Sequence, residues 1–474
     1  MAQTEDLCRQ LPQLGRLLDG EPARALLDRW PREVVAAAAR HVLDAIRREI
    51  LDGLLNEAGL QARLRELDRA IAEQAQRTSR PSLRRVINAT GVILQTNLGR
   101  APLSQAAIRN LTQVAAGYSN LEFDLHTGKR GRRDDHAEAL ILRVLAARGA
   151  DLDPSRYAAM VLNNCAGATF LALNSLAEGG EVIVSRGELV EIGGGFRIPE
   201  ILRKSGAILR EVGTTNRTRI ADYARAITPE TRLILRVHRS NFRIEGFTAQ
   251  PSLDELVALG REAAIPVFED QGTGCVVRLA EIGMGEQSNW IRSVASGVSL
   301  VAASGDKLLG GPQCGLLVGQ CRLIEQMRTN PLARAFRPGK LTYAALEATL
   351  LAYLADQEQT LPAIAMMLIT APELRTRCQK LVDHLEASPL EAKVVPVRSV
   401  IGGGTTPGAV LRGFAVALRH PAMSEEYLLK ALRQMDPPVI ARTRRGEVLL
   451  DLRTVFPEED ETLAAHLVKL ELPA

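Results

Sequence analysis

Five short apolar runs constrain this chain more than anything else in it: EVIVS (181–185), RLILRVH (232–238), IPVFED (265–270), VSLVAAS (298–304) and GLLVG (315–319). They mostly lack the strict alternation of a strand with one wet face, so each has to be covered on both sides. Helical stretches and glycine-rich turns separate them. The pattern predicts an α/β domain over 81–340, with helices on both faces of a sheet and ligands gathered outside the carboxyl ends of the strands. Asp270 and Lys307 both fall at such ends.

The flanking regions read differently. In PREVVAAAARHVLDAIRREI, Pro31 suits a first helical turn, and Val35, Ala39, Val42, Ile46 and Ile50 recur at the spacing of one helix face, which makes 1–80 a helical module. Up to Arg85 this segment holds 15 arginines against 13 acids, and the first lysine of the chain is Lys129. Any nucleic-acid face must therefore come from arginines segregated to one side. From 341 to 474 a small α+β domain is expected. It opens with one long helical stretch, LTYAALEATLLAYLADQEQTLPAIAMML, and closes with a hairpin in PPVIARTRRGEVLLDLRTV that turns near Arg445-Gly446. The triple glycine 402–404 reads as a loop, since no helix start follows it.

Composition excludes several classes. With 46% hydrophobic and 24% charged residues the 474-residue chain is ordinary globular material. No apolar run reaches the roughly 18 to 20 residues of a membrane span, and MAQTEDLCRQ lacks a signal-peptide layout, so a cytoplasmic protein is expected. The six scattered cysteines form no CxxC pair and no His/Cys cluster, so reduced thiols and no metal site are expected. The net charge of +4 decides nothing alone.

Lys307 stands in SGDKLLGGPQCG, a stretch built for close backbone approach rather than for solvating a cation. A lysine that holds an aldehyde cofactor must act as a neutral amine in a pocket that also fixes a ring, a ring nitrogen and a phosphate. Pyridoxal phosphate makes those demands together. Asp270 can pair with the pyridinium nitrogen. In VLNNCAGATFLALNSLA (161–177), a strand, the turn Asn163 to Ala168 with Asn164, Cys165 and Ala166, and a helix starting near Ala168 offer backbone amides to the phosphate. Singly, these are an ordinary turn and an ordinary cap. In sequence, a phosphate turn, an acid after a strand and a lysine 37 positions later describe a fold-type-I pyridoxal phosphate enzyme.

The strings LRRVINATGVILQTNLGRAPLS, SRGELVEIGGGFRIPEIL, EVGTTNRTRIADYARAI and SGDKLLGGPQCGLLVG closely resemble bacterial selenocysteine synthase, the L-seryl-tRNA(Sec) selenium transferase family, and CRQLPQLGRLL and PPVIARTRRGEVLLDLRTV extend the likeness over essentially the whole chain. The resemblance implies an α/β fold-type-I large domain that holds pyridoxal phosphate covalently on Lys307, with Asp270 on the ring nitrogen and Asn163 to Ala166 by the phosphate. It implies Arg100, Arg334 and Arg337 on an incoming selenophosphate, and a seryl-tRNA(Sec) substrate converted to selenocysteinyl-tRNA(Sec) through an aminoacrylyl-tRNA. It also implies a ring of dimers, a homodecamer. His238, Ser240 and Asn241 are candidates for contact with the ring. The chain departs from the family pattern at Cys165, Arg239, Gln271 and Gly339. A pyridoxal phosphate lyase acting on a small amino acid or amino sugar acid shares the same constellation, but has no use for the module 1–80.

Overall fold

The computed structural model describes residues 2–150, 152–192, 194–277, 289–406 and 408–470, without the side chains of 2, 3 and 21–23. The chain divides into two compact units, Met1–Arg85 and Val86–Ala474.

The first unit is all helix. Its longest elements are α1 (Arg32–Leu51) and α2 (Leu67–Ser79). Val35, Ala39, Ile46 and Ile50 of α1 are buried against Leu60 and Ile71. Leu43, rather than the half-buried Val42, completes the α1 stripe, because 3.6 residues per turn brings 43 under 39 and 46. Asn56 caps the intervening helix Glu57–Arg65 by accepting the Gly59 amide at 2.9 Å.

In the second unit seven strands form one sheet: β1 (Tyr157–Leu162), β2 (Glu181–Ser185), β3 (Ile208–Val212), β4 (Thr231–Val237), β5 (Val267–Asp270), β6 (Leu300–Ser304) and β7 (Gly315–Gln320). The spatial order is β3-β2-β4-β5-β6-β7-β1, parallel throughout except that β7 runs against both its neighbours. β2, β5, β6 and β7 are buried along almost their whole length, which is why their sequences do not alternate. Side chains at alternate positions feed two separate cores, Ile183, Ile234 and Val301 on one face and Val184, Leu235 and Ala302 on the other.

Helices α3 (Gln105–Ala115), α4 (Cys165–Ala177) and α5 (Lys340–Leu354) pack around this sheet. The long helix expected from 341 is interrupted. After α5 the chain turns through Asp356 at φ 52° and restarts as α6 (Pro362–Leu368), with Pro362 at the first helical position where its missing N–H costs nothing. Four antiparallel strands follow, β8 (Glu391–Val400), β9 (Val410–Arg419), β10 (Arg442–Arg444) and β11 (Glu447–Leu450), in the order β8-β9-β11-β10. β10 and β11 are the expected hairpin, closed by Arg445 and Gly446 at φ 54° and 78°, both left-handed as a two-residue turn requires. Residues 341–474 lie in the same unit as the large sheet because Ile87–Asn88 pairs in parallel with Val439–Ile440 and α5 packs on α3, with Asn110 donating to the Ala344 carbonyl at 2.8 Å. Among the described residues no helix is long and apolar enough to cross a membrane.

Candidate active site

The registers Val237↔Asp270 and Asp270↔Ala302 bring the carboxyl ends of β4, β5 and β6 level. A cavity of about 460 Å³ opens there, lined by Arg100, Asn164, Cys165, Ala166, His238, Ser240, Asn241, Asp270 and Lys307 among others. α4 starts at Cys165, three residues before the sequence suggested, since Asn164 is its cap and accepts the Gly167 amide at 2.7 Å. Cys165 and Ala166, both in the cavity lining, thus bring first-turn amides that have no carbonyl of their own helix to bond. Asn163 does not line the cavity. It buttresses the turn, taking the Asn164 side-chain amide at 3.1 Å while its own backbone N–H goes to the Phe336 carbonyl at 2.8 Å. β7 passes so close beneath that a Cβ on Gly315 would stand 2.3 Å from the Asn164 carbonyl oxygen, so only glycine fits.

Lys307 is 8% exposed, and its amine makes no hydrogen bond or ion pair among the described residues. Burial depresses its pKa, favouring the neutral amine. Asp270 is 6% exposed, and burial pushes its carboxyl up to about 6 against the opposing pull of Lys307. The two groups face a shared gap walled by glycines. A Cβ on Gly272 would lie 3.7 Å from Asp270 Oδ1 and 3.8 Å from Lys307 Nζ, and one on Gly404 would press on Lys307 Nζ at 3.1 Å. An amine, a carboxylate and a helix N-terminus around space that side chains would fill is the donor set pyridoxal phosphate requires.

Around this pair, His238 donates its backbone N–H to the Asp270 carbonyl at 3.0 Å, and burial lowers its ring to about 4, so the imidazole is neutral. Asn241 is tied to the Glu191 carbonyl at 2.8 Å. Arg100 takes a left-handed φ of 62° and reaches Asp306 Oδ2 at 2.8 Å. Asp306 accepts the Ser304 hydroxyl at 3.0 Å on its other oxygen. Of the positions where the sequence departs from the family pattern, Cys165 and Gln271 line the cavity. Arg239 turns away from it to give its Nε to the Gly187 carbonyl at 3.0 Å.

Arg334 and Arg337 do not join Arg100. They line a different cavity of about 510 Å³ with Glu122, Arg130, Arg133 and Arg328. The chain at 331–337 is held elsewhere on α4, with Phe336 packed on Gly167 and its carbonyl accepting the Asn163 amide. Sequence reasoning missed Thr96, Phe196, Asp306, Gln313 and the glycine loop 403–404, all of which line the Lys307 cavity. Asp306 had a signal, an acid beside the lysine. The loop 402–404 was read as a loop, and nothing local in the sequence says that it folds over Lys307.

A family model described as L-seryl-tRNA selenium transferase matches residues 86–456, and one described as selenocysteine synthase N terminal matches 8–47. The L-seryl-tRNA(Sec) selenium transferase of Aquifex aeolicus is 42% identical over 468 residues, covering 98% of this chain and 99% of the relative. That of Moorella thermoacetica is 43% identical over 474 residues, covering 98% and 97%. Among solved structures, a D-glucosaminate-6-phosphate ammonia-lyase superposes with a TM-score of 0.55 at 20% identity, over 82% of this chain and 95% of that one, a likeness of fold. The sheet order and this likeness give the second unit the fold-type-I α/β architecture. With both models matched and more than two-fifths of residues identical from end to end, the chain belongs to the L-seryl-tRNA selenium transferase family.

Proposed function

We propose that this chain converts the serine of L-seryl-tRNA(Sec) to selenocysteine, with selenophosphate as selenium donor. The observation that carries this reading is the buried, unpartnered amine of Lys307 facing Asp270 across a glycine-walled gap, in a chain whose full-length relatives bear that activity in their names. The cofactor is pyridoxal phosphate, which when bound supplies the electron sink for the carbanion left at the substrate α-carbon. Lys307 anchors its aldehyde, Asp270 keeps a proton on its ring nitrogen, and the α4 amides at Cys165 and Ala166 hold its phosphate. Once the seryl amine has displaced it, Lys307 takes the α-proton and returns a proton to the departing β-hydroxyl, which leaves as water. The neutral His238 and the tethered Asn241 present the ring with uncharged contacts. The selenium of selenophosphate then bonds to the β-carbon, the α-carbon regains a proton, and water cleaves the Se–P bond so that inorganic phosphate leaves.

Arg100 receives the selenophosphate through a guanidinium held by Asp306. Arg334 and Arg337 complete the anion site in a second copy of the chain, the arrangement that a ring of dimers, a homodecamer, supplies. Tyr118, Phe123 and Leu125, close in sequence to the cavity residue Glu122, expose apolar side chains and support a face that is covered by another copy. The unit 1–85 contacts the tRNA. Arg32, Arg47, Arg63 and Arg69 are paired with acids, whereas Arg16, Arg40, Arg65 and Arg77 are in no ion pair among the described residues and remain for phosphate contacts.

The test supplies the full-length protein with seryl-tRNA(Sec) and selenophosphate, and separately with free serine. Selenium is expected on the tRNA-bound amino acid, with no pyruvate from free serine. Rapid turnover of free serine with no selenium transfer would make it a small-molecule lyase instead.

A further inference from the structure

Thr169 is fully buried in α4, one turn beyond Cys165. Threonines inside helices commonly return their hydroxyl to the carbonyl four residues back. Thr78, Thr112, Thr349 and Thr376 all do so here, at 2.9, 2.9, 2.8 and 3.2 Å. Thr169 does not. Its Oγ1 lies 3.3 Å from Asp270 Oδ2, while Cys165 Sγ lies 3.9 Å from Asp270 Oδ1. The i, i+4 spacing puts both side chains on one helix face, so each carboxylate oxygen meets one donor.

We propose that Thr169 and Cys165 are positioning residues that fix the Asp270 carboxylate in the orientation it presents to the Lys307 cavity. The inference rests on the role given to Asp270 above and adds the groups that aim it. Both donors are neutral. A guanidinium or ammonium in their place would compete with a ring nitrogen for the anion, whereas a hydroxyl and a thiol orient the carboxylate and leave its charge to be used. The charged and titratable groups around Asp270 are Lys307 across the gap, Cys165 itself and the adjacent Glu269, with the backbone of His238 behind. α4 therefore does two things from its first two turns: it offers amides to a phosphate, and it sets an acid that lines the same cavity. The hydroxyl matters more than the thiol, being the better donor and the closer one.

The experiment measures pyridoxal phosphate affinity and the position of the bound visible band at one fixed pH, in full-length protein, for Thr169→Val, Thr169→Ser, Cys165→Ala, Asp270→Asn and the double variant T169V/D270N. Valine keeps the shape and removes the hydroxyl. T169V should bind the cofactor about tenfold more weakly, the effect of losing one hydrogen bond to a charged group, with a moved band. T169S should restore both, and C165A should lose about twofold to fivefold. In the D270N background, T169V should cost nothing further, because the partner it serves is gone. An unchanged affinity and band in T169V would overturn the proposal, as would a loss carried undiminished into the double variant, the mark of ordinary packing. If D270N alone binds and colours like the parent protein, the role of Asp270 fails, and this inference fails with it.

Discussion

The cavity at Lys307 and the cavity at Arg334 have about the same volume, 460 and 510 Å³, and treat charge in opposite ways. At Lys307 a few ionisable groups are buried, and burial moves both Lys307 and Asp270 toward their neutral forms. At Arg334 charge is plentiful, more exposed and cross-paired. Glu122 accepts from Arg133 at 2.7 Å and from Arg337 at 3.4 Å, and the Arg133 bond holds its carboxyl below the ordinary value. The first cavity suits proton transfer, where a group must exist in two forms at working pH. The second suits an anion, where a guanidinium must never lose its charge. One chain thus separates making charge from holding it.

Lys307→Ala strikes the first cavity hardest. On the proposed roles it removes the covalent anchor and the base together, and the base alone is worth about 10²- to 10⁴-fold. Borohydride reduction should attach the cofactor to a peptide containing Lys307 in the parent protein and to none in the variant. Retained activity in the variant would erase the distinction between the cavities.

Asp270 gives the next effect, read as stability of cofactor-free protein against pH. Its folded pKa, about 6, lies above its ordinary 3.8, so the folded state holds the proton more tightly. Its contribution is complete below pH 4 and is lost as pH rises through 6, a change on the order of 3 kcal/mol. Asp270→Asn cannot ionise and should lose nothing over that range, so the stability gap between the two proteins, followed by urea denaturation, should move in the variant's favour between pH 4 and 7. A constant gap would mean that the cavity does not penalise the anion.

How legible each region was follows from what writes it. The buried strands announce themselves because two covered faces force unbroken apolar runs. β3 went unread because its sequence, ILREV, sits at the sheet edge with most side chains in solvent. Asp270, Lys307 and Asn164 were legible because strand ends and a helix cap carry local signals. That Arg100 is held by Asp306, 206 positions away, and that Gly404 closes on Lys307, are outcomes of tertiary packing with no local periodicity. Arg334 and Arg337 are the reverse case. Their residue type suits an anion, but a one-dimensional reading cannot say that they line a different cavity from Arg100.

Arg334 then sharpens the comparison with the smallest expected effect. Its guanidinium is in no ion pair among the described residues, although Arg337 and Arg133 beside it share Glu122. Arg334→Ala should therefore leave folding and the visible cofactor band intact. If it holds selenophosphate, the loss is that of charge-assisted hydrogen bonds, roughly tenfold to a hundredfold in use of that substrate, with dehydration of the seryl group unaffected. Since Arg334 and Lys307 line different cavities of one chain, the two roles can be complemented between copies. If a second copy supplies Arg334 to Lys307, mixed oligomers of Lys307→Ala and Arg334→Ala chains would contain sites with both residues intact, and they should be more active than either variant alone. If mixing restores nothing while each variant forms oligomers of the parent's mass, Arg334 does not reach a neighbouring Lys307, and the second cavity serves some other anion.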